Sequence, residues 1–315
     1  MSLNIIFKNP LLIALTFLIA FVTNAQDLDP RAYLRVPIGT TTAFGGFNLS
    51  SGDIVTDPSL AIQNVKANVQ AFSFGVSRSF DVFGKTSQIL VALPYSWAQV
   101  SGDVGEQFRE VTRSGMADTR LRFSTLLLGG DAGTLEEVMK EPKETILGLG
   151  LHVSVPTGEF FPDKLINLGT NRWAFRPEIA VSQPLGKRWQ ADLYSGVWFF
   201  TKNSTFYPGT SVREQKPMAA FQAHISYNIK ALLWVAFDAT FYAGGTSVID
   251  KDFQDDRQNN TRLGVTAVIP TGKLSSLKFT ASAGAVVRIG QDFTTYSIGW
   301  QKTWIKGIKK QRPQA

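Results

Sequence analysis

The chain of 315 residues contains no cysteine, which excludes disulfides and thiolate metal sites. It has only two histidines, His152 and His224, with no ligand spacing around them, so neither a metal nor a cofactor is expected. After residue 25 there is no run of about 18 uncharged apolar residues, so membrane-spanning helices are excluded. Gly148, Gly150, Gly244 and Gly245 match no phosphate-cradling motif and read as bends or close contacts within strands. No nucleic-acid partner is expected. Charged residues are 18% of the chain against 44% apolar ones, with a formal net charge of +7, a balance too polar for a bundle of membrane helices.

What is present begins with an export signal. Lys8 precedes the apolar run LLIALTFLIAFV, and Thr23-Asn24-Ala25 follows, so residues 1–25 read as a secretory signal cut after Ala25. With no further membrane helix, the outer membrane of a Gram-negative bacterium is the natural destination. Residues 26–40 contain Pro30 and Pro37 and show no clean periodicity. A periplasmic lead-in and a short segment folded into a barrel lumen both stay open for them.

From there the dominant signal is alternation. Between Asp163 and Phe200, the residues Trp173, Phe175, Pro177, Ile179 and Val181 share one face, and Arg176, Glu178 and Ser182 lie between them. After a break at Pro184-Leu185-Gly186-Lys187, Trp189, Ala191, Leu193, Val197 and Phe199 alternate with Gln190, Asp192, Tyr194 and Gly196. A period of two belongs to strands. Trp173 and Phe199 lie at one end of this hairpin and Trp189 at the other, like the aromatic girdles that flank the apolar band of a transmembrane barrel.

The same reading predicts strands near Thr41–Leu49, Val65–Ser79, Thr86–Gln99, Gly115–Leu128, Glu144–Pro156, Met218–Ile229, Leu233–Ala243, Thr261–Pro270, Leu277–Val287 and Thr294–Trp304. With the central hairpin they make twelve, each near the length of about 9–11 residues that crosses a bilayer when tilted. The expected fold is all-β, a 12-stranded antiparallel transmembrane β-barrel over residues 41–304 with a basic periplasmic tail at 305–315. One set of connections is long (49–64, 101–114, 157–172, 201–215, 245–259 and 288–293). The other (80–85, 129–143, 185–188, 230–232, 271–274) is mostly short, in keeping with long loops outside and short periplasmic turns. Within 129–143, Thr134-Leu135-Glu136-Glu137 has the form of a capping box and predicts a short helix.

The stretches SFDVFGK, VPTGEFFPDKLINLGTNRWAFRPEIAVSQPLG, YSGVWFFT, REQKPMAAFQAH, LWVAFDATFYAGG and RIGQDFTTYSIGWQKTW resemble the outer-membrane family named for the meta-pathway of phenol degradation. The resemblance covers essentially the whole mature chain, and LINLGTNRW followed by WFF is its most specific part. It implies an outer-membrane channel or transporter for small aromatic or hydrophobic solutes. Outer-membrane lipid, a small-molecule solute and the barrel-assembly machinery are the expected partners. It supplies no catalytic residues. The tail IKGIKKQRPQA departs from the habit of ending such chains at an aromatic residue.

Alternation assigns Asp118, Arg120, Arg122, His152, Arg176, Glu178, Asp192, His224, Asp238, Arg262 and Lys278 to the lumen, since an arginine facing lipid costs about 2–4 kcal/mol at the midplane. With Lys66 added, inward bases outnumber inward acids by six to four. That balance predicts a narrow, weakly anion-preferring path or a gated site for neutral solutes. The turn near Lys230–Leu232 sets Asp238 opposite Gln222 or His224. The loop 157–172 carries Phe160, Phe161, Leu165, Ile166 and Leu168, too apolar to stay splayed in water, and is expected over the barrel mouth. The pairs His152/Ser154 and His224/Ser226 each share a strand face, so a barrel enzyme acting on lipid or lipopolysaccharide is the alternative. Both pairs alternate with the lipid-facing residues and a dyad also needs a third, orienting group, so polar lumen lining is the favoured reading.

Overall fold

A computed structural model describes residues 28–56, 62–105, 107–141 and 143–306. The expected export signal, residues 26 and 27, and the tail from residue 307 onward lie outside them. Apolar side chains at every second position fit a strand whose two faces meet different surroundings. The chain builds such strands in succession: β1 (Thr41–Val55), β2 (Ile62–Val82), β3 (Lys85–Val104), β4 (Gln107–Met116), β5 (Thr119–Leu128), β6 (Ile146–Val155), β7 (Ala174–Leu185) and β8 (Trp189–Phe200). After a short hairpin, β9 (Asn203–Phe206) and β10 (Ser211–Gln215), come β11 (Met218–Lys230) and β12 (Leu233–Gly244). A second short hairpin, β13 (Ser247–Ile249) and β14 (Asp252–Phe253), precedes β15 (Gln258–Gly272), β16 (Ser275–Val286) and β17 (Gly290–Trp304).

Strands β4 and β5 lie end to end along β3, which pairs with β4 from Tyr95 to Val104 and with β5 from Ser87 to Ala92. They fill one position in the wall, so the 13 hydrogen-bonded strands form a closed antiparallel barrel of twelve. The seam joins β1 to β17 from Thr41↔Trp304 to Val55↔Gly290. Closure leaves the sheet without free edges.

Burial is inverted relative to a protein folded in water. Phe72, Phe74, Leu93, Ile179, Leu193, Phe237, Val265 and Ile298 are exposed on the outside, while Arg176, Glu178, Asp192, His224 and Asp238 are buried inside. A continuous apolar exterior of this extent suits hydrocarbon as its solvent. Trp173 stacks on Phe175 near the end with long connections, and Trp189 packs against Tyr227 near the end with short turns.

Above the apolar band the strands continue into a second regime. Val65, Ala67 and Val69 of β2 point inward and are buried, whereas Lys66, Asn68 and Gln70 are exposed. Lys66 is therefore not an inward base, because beyond the hydrocarbon the outer face meets water and the apolar side turns in. For the same reason the expected loop at 101–114 is largely a continuing ladder between β3 and β4. Strands β9, β10, β13 and β14 form a separate four-stranded sheet at that end.

Two local features follow their sequences closely. Helix α1 (Leu135–Lys140) starts at Thr134, whose hydroxyl accepts from the Glu137 amide while the Glu137 carboxylate accepts from the Thr134 amide at 2.6 Å. Ala117 is buried where the ladder breaks between β4 and β5. Gly158 and Gly169 pack into that break. A Cβ on Gly158 would lie 2.7 Å from the Gly169 Cα and 2.8 Å from the Ala117 carbonyl carbon, so only glycine fits.

Candidate functional site

Residues 28–40 form a strap that enters the lumen and is fastened to the wall. The Arg31 amide donates to Asp192 Oδ2 at 3.2 Å, and its guanidinium donates to Ser226 Oγ and Asn228 Oδ1 at 2.8 and 2.9 Å. The Arg31 side chain also lies over the Trp234 ring, 4.4 Å from its centre. Tyr33 donates its hydroxyl to Glu178 Oε1 at 2.8 Å, and burial followed by the neighbouring Glu178 charge pushes that phenol far above its usual range. Arg35 pairs with Glu141 beyond α1 and donates to the Asp131 carbonyl.

Asp29 lies between two walls of the barrel. Arg122 Nη1 is 2.8 Å from its Oδ2 and Lys278 Nζ is 3.1 Å from its Oδ1. Its position inside the barrel would raise its pKa, but Lys278 and Arg122 prevail and hold the carboxyl far below the usual range.

The other candidate residues fall into three groups. On the lumen wall, His152 Nε2 lies 3.1 Å from Glu178 Oε1, and Arg176 Nη2 is 3.1 Å from the same nitrogen and 3.2 Å from Glu178 Oε2. Across β11 and β12, His224 Nδ1 lies 2.7 Å from Asp238 Oδ1 and His224 Nε2 is 3.3 Å from Gln222 Oε1. The arrangement of His224 holds strands together and leaves neither ring nitrogen facing Ser226.

Arg262 donates to the Phe293 carbonyl at 2.5 Å, a structural contact near the long-connection end. Asp118 serves the loop, accepting from the Gly158 amide at 3.0 Å and from the Thr170 amide and hydroxyl at 3.0 and 2.6 Å.

That loop fills the long-connection end of the lumen. Ile166 and Leu168 are buried in an apolar cluster with Ile54, Val65, Ala67, Val69, Ala98, Val100 and Phe293, and Leu165 packs against it. Phe160 is half-buried and Phe161 exposed. Nearby, Arg172 and Arg213 are both buried. Burial and then repulsion from Arg213 lower the Arg172 pKa well below its usual value.

Between this cluster and the short turns lies a cavity of about 1240 Å³. Arg120, Arg122, His152, Arg176, Glu178 and Lys278 line it, together with the strap and the apolar side chains Phe44, Leu90 and Trp234. It reaches the short-turn end, where Lys187, Arg188, Leu232 and Leu274 line it. Among its described lining residues the carboxylates are Asp29 and Glu178, so the surface is strongly basic. No cluster of metal-ligating residues occurs among the described residues.

The strap residues Asp29, Arg31, Tyr33 and Arg35 are absent from the candidates read from sequence. Their signal is four hydrogen-bonding side chains at every second position, obscured by Pro30 and by a turn in which Arg31 takes φ 65°.

No curated protein matches the chain. An outer membrane channel from Pseudomonas putida F1 is similar in structure, with a TM-score of 0.76, 22% sequence identity, and coverage of 88% of this chain and 100% of that one. The transport unit of the autotransporter AIDA-I from Escherichia coli has a TM-score of 0.51 at 10% identity, covering 93% of this chain and 97% of that one. A family model described as "Putative MetA-pathway of phenol degradation" matches residues 51–288. The chain belongs to that family.

Proposed function

We propose that the protein is an outer-membrane channel for small solutes with aromatic or other apolar parts, and that it has no catalytic role. The observation that carries this reading is the cavity of about 1240 Å³ inside a closed barrel with an apolar exterior. The cavity has apolar and polar walls together, as a path for partly apolar solutes requires. The short turns lie in the periplasm and the long connections outside, in the usual orientation of such barrels. The solute then enters past the loop 157–172 and leaves past the strap and the basic periplasmic rim. Family membership and the likeness in fold to the Pseudomonas putida channel support the reading. The engagement of His224 by Asp238 and Gln222 weighs against a hydrolase in the wall.

The test has two arms. The protein should fractionate with the outer membrane and migrate faster unboiled than boiled on a denaturing gel. In planar bilayers it should give small conductances with a preference for anions, or stay closed to ions while liposomes carrying it admit benzyl alcohol. Recovery in the soluble periplasm, or strong cation selectivity, would overturn the proposal.

A further inference from the structure

Asp29 is the sole acidic residue of the described strap. Each of its carboxylate oxygens is held by a different cation, Oδ2 by Arg122 of β5 and Oδ1 by Lys278 of β16. Around the barrel those strands are separated by β3, β2, β1 and β17 on one side and by β6, β7, β8, β11, β12 and β15 on the other. The two cations therefore reach in from nearly opposite walls to meet on one carboxylate. The Asp29 side chain is 47% exposed, whereas Arg122 is only 12% exposed, so the carboxylate faces the cavity and the guanidinium is set into the wall. Phe44, Leu90 and Ala92 give the same cavity an apolar wall.

We propose that Arg122 and Lys278 form a binding site for small organic acids with an apolar body, and that Asp29 is a tethered occupant which an incoming carboxylate displaces. The inference rests on the channel reading and names a solute class for it. Exchanging one carboxylate for another conserves both charge-assisted contacts, so the exchange is nearly balanced. A neutral solute that displaced Asp29 would leave two cations unpaired in a partly buried place, which is costly. The apolar wall then separates organic acids from inorganic anions. Because Asp29 is attached to the chain, its effective concentration at the site is about millimolar, and free acids compete poorly until it is removed.

The experiment titrates detergent-folded, full-length mature protein with benzoate and with benzyl alcohol, reading heat. Asp29→Asn should bind benzoate about tenfold more tightly than the wild type, since the tethered competitor is gone. Benzyl alcohol should bind both alike, and adding Lys278→Gln should abolish the gain. Asp29→Ser serves as a second variant, and gel migration verifies that each is folded. Equal benzoate affinity in wild type and both Asp29 variants would overturn the site, as would an equal gain for benzyl alcohol. Binding is read without transport, so the two readings fail separately. Conduction without the gain removes only the site, and the gain without any solute crossing removes only the channel.

Discussion

His224 Nδ1 and Asp238 Oδ1 stand 2.7 Å apart across the ladder between β11 and β12, with neither side chain exposed. The second Asp238 oxygen accepts from Thr266 Oγ1 of β15 at 2.6 Å, so one carboxylate ties three neighbouring strands. Removing one partner of a buried hydrogen bond leaves the other unsatisfied, at a cost of about 1–3 kcal/mol. Asp238→Ala is expected to destabilise the folded barrel by that order. Asp238→Asn, which keeps a carbonyl acceptor, should cost clearly less. Urea unfolding in lipid vesicles measures both, and equal losses would refute the pairing as the cause.

The outer face supplies a second prediction. Ile179 is 48% exposed near the middle of β7 and flanked by inward Glu178 and Ala180. Arginine there would face hydrocarbon and cost about 2–4 kcal/mol. Arginine at exposed Phe161, in the loop outside the band, should cost much less. The same unfolding assay separates them, and similar values at the two positions would mean that water bathes both.

A third concerns the seal at the outer end. Ile166 and Leu168 are buried among the tops of β1, β2, β3 and β17. Charging both, as Ile166→Asp with Leu168→Asp, would force unpaired carboxylates into an apolar cluster and drive the loop out. Single-channel conductance should rise severalfold while gel migration stays that of a folded barrel. Unchanged conductance would show that the constriction lies elsewhere, at the strap.

The strap should be insensitive to mild acid. Asp29 has a folded-state pKa held below the ordinary aspartate value of about 3.9, so its stabilising contribution is complete above that value. It is lost only as pH falls through the lower, folded-state value. Amide hydrogen exchange of residues 28–36, corrected for its intrinsic pH dependence, should therefore stay constant from about pH 8 to 5. Loosening within that window would assign the latch to a different group.

The band of wall that meets hydrocarbon is legible in sequence because lipid on one side and a polar lumen on the other impose a period of two. Ile179 beside Glu178 and Phe237 beside Asp238 carry that signal without help from distant residues. Where both faces meet water the signal inverts, and for that reason alternation puts Lys66 on the wrong side and the ladder between Glu110 and Ser101 reads as loop. The strap is illegible for another reason. Arg31 finds Asn228, 197 residues away, and Asp29 finds Lys278, 249 residues away, so the meaning of those charges depends on strands that no local pattern brings near.

The strap runs from Leu28 to Thr40 and passes without interruption into β1, the strand that completes the wall by pairing with β17. Its partners Glu178, Asp192, Ser226 and Asn228 belong to strands made much later in the chain. The strap's fastenings therefore wait for strands synthesised long after it, so the interior of the cylinder is stocked late in biogenesis.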